Sequence, residues 1–449
     1  MTVLNPVTKT TEFGGPIGSL ILIIFLPLVT LFLFLACNEI YLMEGFNLNL
    51  QLLKDAFNIY VYNDLNNLLF DYQSWKYYLY WFISLALLDV YIPGNEKFGI
   101  KLRDGSKLKY NINGLQLVSL LLIIICSRFY LLGFNLPELN FLYDNFLNLM
   151  FTTWEFSILL SFFVYFTSFI PLRNKNGNGN GNGNGNGNGN YERILSINGN
   201  SKNILFDWFI GRELNPRIGD WDIKLFCELR PGLLLWFLLN LSCLQRQFQK
   251  IGYITNSMIL VNLLQFIYII DGVLNEEGCL TMVDITTDGF GFMLAFGDLC
   301  WVPFCYCLQA RYLTLKEINL TNFEMLIIIL LMIIGFYIFK ASNNEKNNFR
   351  SGKLSNLKSI KTERGTKLLI EGWWGISQHI NYFGDMIIAL SWCLPTKFNT
   401  ILTYFYVIYF TSLLIHRQIR DDEKCFKKYG NSWIEYKKKV PYKIIPYVY

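Results

Sequence analysis

Long apolar runs, separated by short polar stretches, recur along almost the whole chain. A helix needs roughly 20 mostly apolar residues to cross the hydrocarbon core of a bilayer. Ten runs approach this length, and they lie near residues 17–36, 77–92, 115–132, 146–170, 233–244, 253–274, 290–313, 323–339, 373–394 and 398–415. The pattern predicts an all-α, multi-pass transmembrane helical bundle of about ten spans.

The composition agrees with a membrane protein. Hydrophobic residues make up 53% of the 449-residue chain and charged residues 16%, whereas about a quarter of a typical soluble domain is charged. The net charge is +5 and no basic cluster stands apart from the spans, so we expect no nucleic-acid partner. The 10 cysteines include no Cys-x-x-Cys pair. Most lie in apolar runs, which favours small buried side chains over a disulfide or a metal site.

The distribution of Lys and Arg predicts the orientation of the chain in the membrane. Nine basic residues follow His416, which places the end of the chain in the cytosol, and ten spans then place its beginning there too. The basic loop 93–114 fits this orientation. The segment 270–289 does not, because it is acidic and contains no Lys or Arg. This exception indicates that 270–289 is not an ordinary loop.

From Asn176 to Asn190 the chain alternates Asn and Gly. Such a segment has no apolar group to bury and is predicted to be disordered. It divides the chain into three regions: N-terminal membrane helices with spans 1–4 (1–172), a disordered Asn/Gly-rich cytosolic insert (173–203), and a C-terminal membrane catalytic region with a cytosolic tail (204–449).

Charged side chains inside membrane spans are costly, so they are either paired or functional. They are concentrated in the later part of this chain: Asp271, Glu276, Glu277, Asp284, Asp288, Asp298, Arg311 and Asp385. Pairing within the bundle would account for some of them. The two histidines of the chain, His379 and His416, lie in the last two spans.

Aromatic and polar residues also gather near the cytosolic ends of the last spans. Trp374, Asn381 and Tyr382 surround His379 in sequence, and a charged tail follows. Arg and Lys bind phosphate groups and aromatic side chains stack on flat rings, so this group suits an anionic, aromatic cofactor.

Lys346 and Arg350 stand four residues apart in what we expect to be the loop after the eighth span. They are either a clamp for phosphate, including a 2′-phosphate, or ordinary positive residues of a cytosolic loop. The Gly-rich stretch at 288–291 lies in a predicted membrane helix and does not follow a strand. We therefore expect no Rossmann domain.

Four stretches resemble the membrane sterol reductases, especially Δ14-sterol reductase and the reductase-like domain of the lamin B receptor. They are GRELNPRIG at 211–219, DITTDGFGF at 284–292, the segment 372–385 that begins with GWWG, and the segment 416–446 that ends with VPYKIIP. The resemblance covers nearly the whole chain apart from the insert. It departs at 378–382, where the family often has RHPNY and this chain has QHINY.

The resemblance implies a ten-helix protein of the endoplasmic reticulum membrane that binds NADPH among its last five spans, reduces a sterol and holds no metal. It places Lys346 and Arg350 beside the adenosine phosphate. The other cofactor contacts that it implies are Leu369, Trp374, Asn381, Tyr382, Asp421, Cys425, Phe426, Lys427, Lys428, Tyr429 and Tyr436. Tyr268 and Asp421 are the catalytic residues that it implies.

The chemistry of an isolated carbon–carbon double bond constrains the mechanism, because such a bond must be protonated before it accepts hydride. Protonation of carbon 15 of a Δ14 sterol leaves the cation on the tertiary carbon 14, which hydride from NADPH then quenches. Tyr268 is the candidate acid. Since an unperturbed tyrosine has a pKa of about 10, it needs a polarising carboxylate such as Asp421 or Asp271.

Three alternatives stay open at this point. A sister reductase acting on a Δ7 or side-chain double bond would share the cofactor residues. A membrane methyltransferase for prenylated cysteine shares a His-x-x-Tyr-x-Gly-like stretch, but it uses S-adenosylmethionine and is much shorter. A non-catalytic membrane scaffold would tolerate loss of the acid, yet Tyr268 and Asp421 are both present.

Overall fold

The computed structural model describes residues 4–173 and 190–449. Residues 174–189, which contain all of the alternating Asn/Gly stretch except Asn190, lie outside the described residues. Residues 190–203, which we also assigned to the insert, are bound to the N-terminal segment: the Asn5 Nδ2 donates to the Arg193 carbonyl at 2.9 Å. The Thr8 hydroxyl likewise donates to the Ile197 carbonyl at 2.8 Å.

The described chain forms two compact units. The first comprises the chain up to Leu42, Leu48–Ile254 and Gln265–Leu315; the second comprises Met43–Asn47, Thr255–Leu264 and Lys316–Tyr449. This division is based on contacts between residues. It differs from the three predicted regions 1–172, 173–203 and 204–449, which stay a prediction.

The first unit is built from helices of very different lengths, and α11 contributes residues to both units. The helices are α1 (Gly15–Leu35), α2 (Leu50–Phe57), α3 (Leu65–Leu68), α4 (Tyr72–Tyr91), α5 (Gly114–Leu132), α6 (Pro137–Asp144), α7 (Phe146–Thr167), α8 (Ile204–Ile210), α9 (Ile223–Leu229), α10 (Pro231–Ile251), α11 (Asn256–Leu274), α12 (Glu276–Cys279), α13 (Val283–Thr286), α14 (Phe292–Phe296), α15 (Val302–Tyr306) and α16 (Leu308–Leu315). Single π-helical turns occur at Asn58–Tyr62 and Gly297–Trp301.

Among the described residues, three short antiparallel hairpins belong to the first unit. They pair β1 (Asn95–Lys101) with β2 (Lys107–Ile112), β3 (Leu172–Arg173) with β4 (Asn190–Tyr191), and β5 (Arg217–Ile218) with β6 (Trp221–Asp222). The β1–β2 hairpin turns at Gly105, whose φ of 90° is readily available only to glycine.

The second unit contains the long helices of the C-terminal part. Its elements are α17 (Asn322–Arg350), the antiparallel pair β7 (Ser359–Lys361) and β8 (Lys367–Leu369), α18 (Trp373–Ile376), α19 (Ile380–Cys393), α20 (Phe405–Tyr429) and α21 (Asn431–Lys439). Short 3₁₀ turns lie at Leu394–Thr396 and Leu402–Tyr404.

Within the part of the chain that the structure describes, seven helical segments are long and apolar enough to cross a membrane: Gly15–Leu35, Gly114–Leu132, Phe146–Thr167, Ile223–Ile251, Asn256–Leu274, Phe292–Leu315 and Asn322–Arg350. The three other predicted spans correspond to α4, which begins with polar residues, α19, which has only 14 residues, and α20, whose second half is charged. The expected multi-pass helical architecture is confirmed, and the number of spans is approximate.

One of the charges noted in the sequence, Glu276, is paired inside the first unit. Arg230 is buried, and its Nε lies 3.0 Å from the Asp89 carboxylate. Its Nη2 donates to the Asn113 side chain at 3.2 Å and to Glu276. Glu276 also accepts from the Gly114 amide at 2.9 Å. A buried ion pair of this kind has a structural role, because removing one partner would leave an uncompensated charge.

The acidic segment 270–289 is folded and is held by a buried lysine. Lys224 is fully buried and donates from its Nζ to the carbonyls of Asp284, Ile285 and Asp288, at 2.7, 3.0 and 2.8 Å. Helices α12 and α13 occupy the same segment. This explains why 270–289 departs from the charge pattern of an ordinary loop.

In the second unit, α17 begins with a capping box in which Thr321 and Glu324 cap each other's backbone amides. It then packs closely along α19 at two glycines. A Cβ atom on Gly384 would lie 2.7 Å from the Phe339 amide, and one on Gly335 would lie 2.9 Å from the Gly384 carbonyl. Small residues of this kind let the backbones of membrane helices approach each other.

Candidate cofactor and reduction site

The end of α17 presents a cation to an aromatic ring. Lys346 and Arg350 lie one helical turn apart, and the Lys346 Nζ is 3.7 Å from the centroid of the Trp374 ring. Trp374 is buried, and its indole N–H donates to the Ser342 carbonyl at 2.8 Å. Trp374 is therefore fixed against α17, and it places a flat ring next to a cation.

The turn before α18 depends on Glu345. Its carboxylate accepts the Trp373 backbone N–H at 2.8 Å. Gly372 adopts a φ of 66°, and a Cβ there would collide with the same carboxylate. Glu345 thus fixes the backbone that carries Trp374.

The start of α19 brings three of the predicted residues close to a histidine. The rings of His379 and Tyr382 stack with centroids 4.7 Å apart, and the His379 Nε2 lies 3.7 Å from an Asp421 carboxylate oxygen. The Asn381 Nδ2 lies 3.4 Å from the Asn343 side-chain oxygen. The Asn381 Oδ1 is buried and has no hydrogen-bond partner among the described residues, so it is free to accept from a ligand.

One face of α20 completes this group. Asp421, Cys425 and Tyr429 follow at intervals of four residues and so share a face. Lys346 lies close enough to Arg350, Asp421 and Cys425 for an electrostatic interaction, and the 3.7 Å contact of His379 with Asp421 connects α20 to the same group. Burial raises the pKa of the Cys425 thiol to about 11, so this thiol is neutral and weakly nucleophilic at pH 7.

The apolar border of the group is a small cluster on α20, α21 and β7. Tyr436 is buried, stacks on Trp433 with ring centroids 4.8 Å apart, and packs with Cys425 and Ile360. Burial raises the pKa of the Tyr436 hydroxyl above its ordinary value. Leu369 is also buried, at the end of β8.

Four of the predicted cofactor residues are exposed, one of them Arg350 at the end of α17. Phe426, Lys427 and Lys428 are exposed on α20, whereas Cys425 and Tyr429 are partly buried. Lys428 remains close enough to Cys425 for an electrostatic interaction. The structure therefore gathers Lys346, Arg350, Trp374, Asn381, Tyr382, Asp421, Cys425, Tyr429 and Tyr436, and leaves Phe426 and Lys427 at the surface of the helix.

The predicted catalytic residues belong to different units. Tyr268 is partly buried in the part of α11 that belongs to the first unit, and Asp271 follows one turn later on the same helix. Asp421 belongs to the second unit. The catalytic pairing of Tyr268 with Asp421 stays a prediction.

The interpretation of the segment after residue 339 as a loop was wrong, because α17 continues to Arg350. Ser342, Asn343 and Glu345 lie on this extension and contact Trp374, Asn381 and Trp373, yet sequence reasoning missed them. The spacing of Ser342, Lys346 and Arg350 by four residues was the available signal for a helix. Among the described residues, no group of three or more His, Cys, Asp and Glu side chains is arranged to hold a metal ion.

Comparison with known proteins settles the family. The model of the ergosterol biosynthesis ERG4/ERG24 family matches residues 7–449. The chain belongs to this family. The ERG4/ERG24 match runs through every element of the candidate site and confirms the resemblance to the sterol reductases.

Relatives of the chain carry a common name. This chain is 57% identical over 454 residues to the Delta(14)-sterol reductase ERG24 of Candida albicans, with 99% of each chain covered. It is 52% identical over 452 residues to that of Saccharomyces cerevisiae, with 100% of each covered. The Delta(14)-sterol reductase LBR of Gallus gallus is 41% identical over 443 residues, which are 97% of this chain and 64% of the relative.

Proposed function

We propose that this chain reduces the Δ14 double bond of sterol intermediates in sterol biosynthesis, with NADPH as the hydride donor. The observation that carries the proposal is its full-length identity of 57%, 52% and 46% to fungal proteins named Delta(14)-sterol reductase. A membrane methyltransferase or a scaffold has no comparable support, and a sister reductase for another double bond is the alternative that the test below distinguishes.

The residues around Trp374 suit a reduced dinucleotide with a 2′-phosphate. Lys346 and Arg350 supply two cations one turn apart, and a phosphate there would be held by charge-assisted hydrogen bonds. The buried Asn381 Oδ1 is an acceptor for an amide or hydroxyl donor. NADPH, when bound, supplies the hydride; the Trp374 and Tyr382 rings would hold its flat groups in place.

Tyr268 is the proposed proton donor to carbon 15. Its helix is apolar, so a proton transferred there would meet little competing water. Asp271, three residues later, accepts from the Asn275 side chain at 3.2 Å and would polarise the Tyr268 hydroxyl from the same helix face. Asp421 is the alternative polarising carboxylate.

We place the chain in the endoplasmic reticulum membrane with both ends in the cytosol. The basic residues after His416 and the basic loop 93–114 support this orientation. Sterol intermediates are membrane lipids, so a multi-pass protein meets its substrate within the bilayer.

The proposal is tested by turnover in membranes that carry the chain. They would receive sterols with a Δ14, a Δ7 or a side-chain double bond, each with NADPH and with NADH, and mass spectrometry would identify the products. We expect saturation of the Δ14 bond alone and faster turnover with NADPH. Reduction of the Δ7 or side-chain bond alone would reject the substrate, and no reduction beyond that in membranes without the chain would reject the enzyme.

A further inference from the structure

The three residues that lead into α19 are bound to a distant segment, residues 440–449, which we call the strap. All four hydrogen bonds run from donors in 377–379 to carbonyls of the strap. They join the Ser377 hydroxyl to Ile444 (3.0 Å), the Gln378 backbone N–H to Tyr442 (2.9 Å), the Gln378 side-chain amide to Val440 (2.9 Å) and the His379 backbone N–H to Lys443 (2.8 Å). The strap is therefore an acceptor surface for the entry to α19.

The strap is folded back on itself and anchored. The backbone N–H groups of Lys443 and Ile444 both donate to the Tyr449 carbonyl, at 2.7 and 2.9 Å. Val440 and Ile444 are almost completely buried. The Tyr449 hydroxyl donates to the Gln418 side-chain oxygen on α20 at 3.3 Å. The strap thus connects α20 to the first turn of α19.

The strap binds the N-terminal end of α19, where the helix lacks hydrogen-bond acceptors of its own. The first N–H groups of a helix have no partner within the helix, and no side chain caps α19 at His379. The strap supplies the missing acceptor for His379. His379, Asn381 and Tyr382 all lie in or next to this first turn, so their positions depend on the strap.

We infer that Gln378 and the strap position His379, Asn381 and Tyr382 for binding of the cofactor. Gln378 is the central residue, because its backbone and its side chain both donate to the strap. It acts as a positioning residue for the site. The inference rests on the proposed function, since it takes this group as the NADPH site.

The test separates cofactor binding from turnover. Gln378→Leu keeps the size of the side chain and removes its donor. We expect its KM for NADPH to rise about tenfold, as for the loss of one buried hydrogen bond, while kcat at saturating NADPH stays within about twofold. Gln418→Ala, which frees the Tyr449 hydroxyl, should raise KM less. The KM for NADPH of the double variant should rise by less than the product of the two single increases, because both changes act through the strap.

Two further measurements keep the result interpretable. Ser412→Ala is the matched control, since this exposed α20 hydroxyl bonds only within its own helix, to the Ile408 carbonyl at 2.9 Å, and its KM should not change. Hydrogen exchange should show faster exchange at residues 378–382 in Gln378→Leu, and saturating NADPH should restore protection. If Gln378→Leu fails to fold, Gln418→Ala carries the same test.

Asn381→Ala distinguishes this inference from the proposed function. If Asn381→Ala raises the KM for NADPH and Gln378→Leu does not, or if Gln378→Leu lowers only kcat, the positioning role is overturned and the cofactor site stands. If neither substitution changes the KM for NADPH, the cofactor site is in another place and both proposals fail.

Discussion

Lys346 is held in a setting that favours an anion. Its ammonium group faces the Trp374 ring at 3.7 Å, a cation–π contact that holds the charge in place. Arg350 is the next cation along the same helix face. A phosphate that reaches this pair would gain two charge-assisted contacts, whereas a ligand without that phosphate would gain none.

Substitution of Lys346 or Arg350 by Ala should therefore weaken NADPH more than NADH. We expect the KM for NADPH to rise about tenfold for each variant, the order of one charge-assisted hydrogen bond, with little change for NADH. Steady-state kinetics with both cofactors measure this. Lys353→Ala, an exposed lysine just after α17, is the control. An equal rise in KM for NADPH and for NADH would argue against a contact with the 2′-phosphate.

Tyr268→Phe removes one hydroxyl and keeps the ring. If this hydroxyl is the acid, kcat should fall by about 10²–10⁴-fold, the usual contribution of general acid catalysis, while NADPH binding is unchanged. Turnover and cofactor binding would be measured on the same membrane preparation. Tyr130→Phe, at a highly exposed position, is the control. Full turnover of Tyr268→Phe would exclude it as the proton donor.

At the scale of elements, the contact between α17 and α19 determines how the site is assembled. Helix α17 carries Lys346 near its C-terminal end, and helix α19 carries Asn381 in its first turn. The two helices approach closely at Gly335 and Gly384. A close contact between membrane helices depends on packing, because lipid gives little hydrophobic drive for helices to associate.

Gly384→Ala should separate α17 from α19. The added methyl group would meet backbone atoms at 2.7 and 2.8 Å, which cannot move without shifting a helix. We expect a loss of about 1–3 kcal/mol in stability, seen as a lower Tm of the purified protein in detergent, together with weaker NADPH binding. Gly272→Ala is the matched control, since no atom lies within 4 Å of its added Cβ. An unchanged Tm for Gly384→Ala would contradict the packing described here.

Hydropathy predicted the helices better than their ends. The apolar run 323–339 predicted a span, but α17 continues to Arg350. Four asparagines lie in this extension and favour a helix only weakly, so neither hydropathy nor propensity located its end. The acidic segment 270–289 could be marked as unusual, while its attachment to Lys224 could not be foreseen. The pattern of apolar and polar residues predicts which positions of one element are buried. It does not predict which carbonyls a buried lysine will bind.

At the scale of the whole molecule, the family resemblance named the candidate site residues and the structure shows which residues they contact. Trp374, Asn381 and Asp421 were expected around a cofactor, but Glu345 and the strap were not. The donors at 377–379 and their acceptors at 440–444 are far apart in sequence. Such pairings arise from the assembled fold, so periodicity in a single sequence cannot predict them.

The alternating Asn/Gly segment is predicted to have no role in turnover. The strands β3 and β4 pair Arg173 with Asn190, so a two-residue Asn-Gly loop put in place of residues 174–189 can close the hairpin. We expect the shortened protein to keep its turnover within about twofold. Removal of residues 192–200 should instead reduce the folded yield, because these bind Asn5 and Thr8. Loss of turnover on replacing only 174–189 by this short loop would contradict the prediction.

The most direct test of the central claim follows the two hydrogen atoms that are added to the sterol. A Δ14 sterol would be turned over once with NADPH deuterated at the transferable position and once with ordinary NADPH in D₂O, and the products would be analysed by NMR. Protonation followed by hydride transfer predicts deuterium at carbon 14 from the cofactor and at carbon 15 from the solvent. Deuterium in the reverse positions, at another double bond, or absent from the cofactor experiment would contradict it.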